Sequence, residues 1–75
     1  MKLPILSFRE VIKPLKSVGF EITRQSGSHI ILVKIVNNKK LTVVVPHHAE
    51  LAKGTLLSII QQSGLTKEEF LKLLK

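Results

Sequence analysis

Three histidines, His29, His47 and His48, are the side chains of this sequence best suited to moving protons. Imidazole titrates close to neutrality, with an unperturbed pKa of about 6.5, so it can take a proton and return it. His29 stands directly behind Ser26-Gly27-Ser28, where the apolar run Ile30 to Val33 begins, and His47-His48 follow Pro46. Three kinds of use fit such residues. A histidine at a strand end can close it through hydrogen bonds. Three histidines can ligate zinc, but neighbours such as His47 and His48 point to opposite faces of a strand, and no metal is expected. The third use is proton transfer on RNA, which carries its own nucleophile in the 2′-hydroxyl beside each phosphate. Cleavage then needs a base for that proton, an acid for the leaving 5′-oxygen, and positive charge for the crowded phosphate. No cofactor is required. Ser26 and Ser28 flank a glycine near His29, but there is no G-x-S-x-G elbow and no acidic third member, so a serine nucleophile is rejected.

Charge is supplied generously. Twelve Lys and Arg against five Asp and Glu leave 75 residues with a formal charge of +7. On so small a body this makes a strongly positive surface, suited to an anionic partner such as nucleic acid or an acidic protein. Three Phe and no Trp or Tyr offer no aromatic platform for bases. RNA would therefore be held through its backbone and shape. Arg24, Lys34 and Lys53 are candidate phosphate contacts. Gly54-Thr55 at a helix opening could add backbone amides, although a plain helix start is the favoured reading of so common a pair. Without cysteine, disulfides and thiolate metal sites are excluded. The start "MKLPILSF" is too short and too interrupted to be a signal peptide, and no apolar run approaches a membrane span, so a cytoplasmic protein is expected.

The elements that must position these residues follow from spacing. Ser7 with Glu10 has the pattern of a capping box, and Phe8, Val11, Ile12, Leu15 and Val18 then share one helical face up to Gly19. Pro14 inside that pattern predicts a kinked or short helix. "FEI" opens a first strand, Ser26-Gly27-Ser28 turns the chain, a second strand runs from His29 to about Val36, and a third from about Lys40 to Val45. A helix from Ala52 or Lys53 to Ser63, burying Leu56, Ile59 and Ile60, and a last one behind the Thr66–Glu69 capping box complete the chain. Tight turns between consecutive strands require an antiparallel meander with the helices on one face. The expectation is an α+β fold of order α-β-β-β-α-α, in a single domain over 1–75.

Register decides which residues meet. A three-residue loop Asn37-Asn38-Lys39 pairs Val36 with Lys40, Lys34 with Thr42, Leu32 with Val44 and Ile30 with Pro46. It leaves Ile35, Leu41, Val33, Val43, Ile31 and Val45 as an all-aliphatic opposite face, a cleaner sorting than other loop lengths give. One step further, it sets His29 opposite His47.

The stretches "GFEITRQSGSHIIL" and "LTVVVPHHAELAKGTLLSIIQQSGLTKEEFLKLL" resemble the HicA, or YcfA-like, toxins of bacterial and archaeal toxin–antitoxin systems. The markers are Gly-Phe after the first helix, Gly-Ser-His, Pro-x-His, Lys-Gly-Thr, and Gly-x-x-x-Glu-Glu-Phe, in that order. The resemblance implies a double-stranded-RNA-binding-like fold and an mRNA interferase, a metal-independent endoribonuclease neutralised by a HicB-like antitoxin. It also implies that His29, in Gly-Ser-His, is the catalytic histidine, with Gly27 and Ser28 setting its position. For an assisting ring the family pattern points to His48, whereas the strand register points to His47. Two other classes of function share these features: a non-catalytic RNA-binding module, and a toxin that has lost activity and only engages its partner.

Overall fold

The computed structural model describes residues 3–74; Met1, Lys2 and Lys75, the ends of the expected 1–75 domain, lie outside them. The element order is α1 (Phe8–Ser17), β1 (Glu21–Ser26), β2 (His29–Val36), β3 (Lys39–Pro46), α2 (Lys53–Ser63) and α3 (Lys67–Leu73). This is the α-β-β-β-α-α order that the periodicities predict.

Both capping boxes form. The Glu10 N–H donates to Ser7 Oγ at 3.3 Å while the Ser7 N–H donates to Glu10 Oε1 at 3.0 Å, and Thr66 and Glu69 repeat the exchange at 3.1 and 2.9 Å. These bonds satisfy amides that the first turn of a helix leaves unpaired. Helix α1 is short, ten residues, and it runs three residues past Pro14 rather than stopping there. Pro14 is itself buried, so packing offsets the hydrogen bond its ring nitrogen cannot donate.

The sheet is an open antiparallel meander of order β1-β2-β3. Ile30 and Leu32 of β2 and Val43 and Val45 of β3 are buried on one face. They join Val11 and Leu15 of α1, Leu56 and Ile59 of α2, Phe70 of α3, and Phe20 in one core. The opposite face stays open, with Ile35 65% and Val44 36% exposed. At the outer edge of β3, the Val44 N–H donates to Gln62 Oε1 of α2 at 3.0 Å instead of to β2. The other edge is β1, whose pairing with β2 shifts by one residue between Ile22 and Arg24.

The register differs from the predicted one. Val36 pairs with Lys39, Lys34 with Leu41, Leu32 with Val43, Ile30 with Val45, and His29 with Pro46. The loop is therefore Asn37-Asn38 alone, and both residues take left-handed φ, 50° and 65°. A two-residue turn of this kind matches the twist of its flanking strands, and Asn tolerates that region better than other side chains with a Cβ. The aliphatic pattern misled because Lys34 sits among core-facing positions. Its stem lies against Gly19, where a Cβ would come within 3.4 Å of Cε, and its Nζ stands 5.8 Å from the Phe20 ring centre. The charge reaches out while the methylenes pack, so an apparent mismatch costs little.

Candidate functional site

Between Ser26 and His29, which pair directly, the chain turns through Gly27 and Ser28 alone. Gly27 has φ 56°, the left-handed value that a hairpin of the II′ class needs at its first central residue. A Cβ there would meet nothing within 4 Å, so glycine is favoured by backbone conformation and not by lack of space. This tight turn delivers His29 as the first residue of β2.

His29 is exposed, while its neighbour Ile30 is buried. Strand alternation therefore places the imidazole on the open face of the sheet, away from the helices. Its Nδ1 lies 3.5 Å from Ser28 Oγ, a contact too long to fix the ring. Arg24, also exposed, is two residues before Ser26, the direct partner of His29, and so is its diagonal neighbour on the same face. Cβ atoms so related lie about 7–8 Å apart, within reach of a guanidinium. Beside the turn, the uncovered face thus brings together an imidazole, serine hydroxyls and a permanent cation.

His47 and His48 are placed differently. The His47 N–H donates to the Ser28 carbonyl at 2.6 Å, extending the β2–β3 ladder by one rung. The expected pairing of His29 with His47 is thereby corrected: Pro46 faces His29 and His47 faces Ser28. The His47 ring stacks on Phe8 with centroids 4.0 Å apart, on the helix side of the sheet. The His48 N–H donates to the Pro46 carbonyl at 2.9 Å, and its own carbonyl accepts from the Phe8 N–H at 3.1 Å. The segment after β3 is thus held by its backbone, with the His48 ring exposed. Three histidine backbones gather at one end of the sheet; their rings do not form one cluster. Among the described residues no group of three or more His, Cys, Asp or Glu could hold a metal ion.

The proposed phosphate contacts also separate. Lys34 lies five residues along β2 from His29, about 17 Å at the usual rise, and on the other face. Lys53 and Gly54 open α2 exposed, and Thr55 beside them is half-buried. Their N-cap, Ala52, supplies no side-chain hydrogen bond, and the first turn carries no acidic residue.

Sequence reasoning missed a concave feature on the helix side of the sheet. Phe8, Ile12, Ile22 and Ile30 floor a groove of about 400 Å³ between α1 and β1, with His47 in its wall. Aliphatic residues of an exposed strand and a basic helix gave the only hint of it. A larger groove of about 480 Å³, between α1 and α3, is lined by Leu6, Pro14 and Leu73 and contains no histidine. Among the described residues no helix is long and apolar enough to cross a membrane.

A family model described as the HicA toxin of bacterial toxin–antitoxin systems matches residues 8–65, well over half of the chain. The match takes in all three histidines and stops before Glu68, Glu69 and Phe70 of the last sequence marker. Comparison with curated proteins gave no match.

Proposed function

Because the chain belongs to the HicA toxin family, we propose that it is the toxin of a toxin–antitoxin pair and acts as a metal-independent endoribonuclease on mRNA, in a double-stranded-RNA-binding-like fold, with His29 as the proton-transfer group. The observation that supports this most is the location of His29. It is exposed at the start of β2, on the sheet face the helices leave open, with Arg24 on the neighbouring strand. An RNA strand laid on that face meets an imidazole and a cation together.

The chemistry asked of the protein is small. As base, His29 takes the 2′-hydroxyl proton; the 2′-oxygen attacks the adjacent phosphorus, the P–O5′ bond breaks, and the 5′-oxygen takes a proton from solvent, to which His29 returns its own. The products are a 2′,3′-cyclic phosphate and a 5′-hydroxyl, and nothing is oxidised or reduced. Arg24 offsets charge on the pentacoordinate phosphorus, the kind of stabilisation that fixed donors supply best. Gly27 and Ser28 position the ring through the turn. Lys53, Gly54 and Thr55 would meet phosphates farther along the strand, whereas Lys34 is assigned to packing. A protein of this kind works in the cytoplasm, where its transcripts are, and a HicB-like antitoxin would restrain it.

The test is His29→Ala. Cleavage of a long mRNA should fall by about 10²–10⁴-fold, growth arrest should disappear, and the far-ultraviolet circular dichroism should not change. A 2′-deoxy substitution at the cut site should block the reaction, and a chelator should leave it intact. Parental cleavage by the alanine variant would end the assignment. The non-catalytic alternative makes a different prediction: the parental protein retards RNA and leaves its length unchanged.

A further inference from the structure

We infer that the groove between α1 and β1 is a docking site for an acidic, amphipathic segment of a protein partner. In the reading given above, on which this rests, that partner is the antitoxin. Two observations carry the inference. The floor is apolar and uncovered: Ile22, which lines it together with Phe8, Ile12 and Ile30, is 44% exposed. The rim is cationic: Arg9, Lys13 and Lys16 of α1 line the same groove and are exposed. The acidic residue of α1, Glu10, accepts from the Ser7 N–H at 3.0 Å and does not line this groove. A surface with an aliphatic floor and a positive wall complements a segment with apolar side chains on one side and carboxylates on the other.

RNA satisfies only half of this surface. Phosphates would answer the three cations, but a nucleic acid has no aliphatic side chains for the floor. The phenyl ring of Phe8 is already stacked on the His47 ring and has the Arg9 guanidinium carbon 5.5 Å from its centroid. Stacking bases there would require displacing protein partners. A fourth strand added to β1 is disfavoured by the register shift at Thr23, since bulges spoil an edge for pairing. The segment is therefore expected to lie along the groove by its side chains.

The groove lies on the helix side of the sheet, with His29 on the other. Its wall residue His47 is nevertheless bonded through its backbone to Ser28, next to His29. A docked segment is thus anchored beside the catalytic hairpin without using the His29 ring. Removing that ring should not loosen it.

The experiment titrates the purified product of the adjoining reading frame against four forms of the chain. These are the parent, Lys13→Glu with Lys16→Glu, Ile22→Glu, and Ile35→Glu on the open face. Both groove variants should bind about tenfold more weakly or worse, while Ile35→Glu binds as the parent does. Thermal melts check that all four are folded, and RNA cleavage by the groove variants should stay parental. Parental affinity in the groove variants overturns the inference. So does weakening only by Ile35→Glu, loss of RNA retention instead of protein binding, or failure of the parent to bind that product. If the groove variants lose binding while no form cuts RNA, docking stands and the ribonuclease reading falls.

Discussion

At the scale of single residues, two imidazoles that strand pairing brings to one end of the sheet are put to different uses. His29 has solvent, Arg24 and a loose serine contact around it, as a group that must receive substrate needs. His47 has a ring partner 4.0 Å away and a backbone bond on each side of the turn it spans. Replacing His47 by Phe should keep the stack on Phe8, and with it both the melting temperature and the cleavage rate. A large loss of cleavage in a folded His47→Phe variant would show that the ring transfers protons after all. Gly27→Ala tests the positioning of His29. Its left-handed φ should cost roughly 1 kcal/mol of stability, with a loss of cleavage beyond what the fraction unfolded explains. Rates measured well below the melting transition separate the two effects.

At the scale of elements, the turn Asn37-Asn38 carries more information than the aliphatic pattern around it. Asn38→Gly should hold or raise stability, because glycine adopts the required φ without strain, and Asn38→Val should lower it by roughly 1–2 kcal/mol. Denaturant melts would check both. The Thr66–Glu69 capping box makes a prediction in pH. The Thr66 backbone N–H, followed by its hydroxyl, holds the Glu69 carboxyl below the ordinary glutamate range. A group whose folded pKa is depressed stabilises at higher pH and loses that contribution as pH falls through the folded value. Glu69→Ala should therefore melt below the parent at neutral pH, and the gap should narrow in acid. Most of this layer was legible in the sequence. Capping boxes and strand starts are local signals, and Ser7, Thr66, Gly19 and His29 fell where spacing put them. The β2–β3 register was not, because it depends on whether Lys34 can lay its stem against Gly19 and Phe20, a contact between residues far apart in sequence. The same dependence hid the separation of His29 from His47, and the groove that α1 and β1 form only when packed together.

At the scale of the whole molecule, charge and shape divide the surface in two. The open sheet face carries His29 and Arg24, and the helix side carries the groove with Arg9, Lys13 and Lys16. With a formal charge of +7, RNA retention should weaken steeply between about 50 and 200 mM salt, in proportion to the phosphates neutralised. Filter binding with His29→Ala, which leaves the RNA uncut, would measure that slope. Retention that ignores salt would argue against backbone recognition. One further consequence comes from Gln62, whose side-chain oxygen occupies the outward amide of Val44. Together with the irregular margin of β1, it deprives both flanks of the ribbon of a regular template on which identical copies could stack. An aliphatic-faced sheet so built resists fibrous self-assembly, and Gln62→Leu, by freeing that amide, should make concentrated solutions turn turbid sooner.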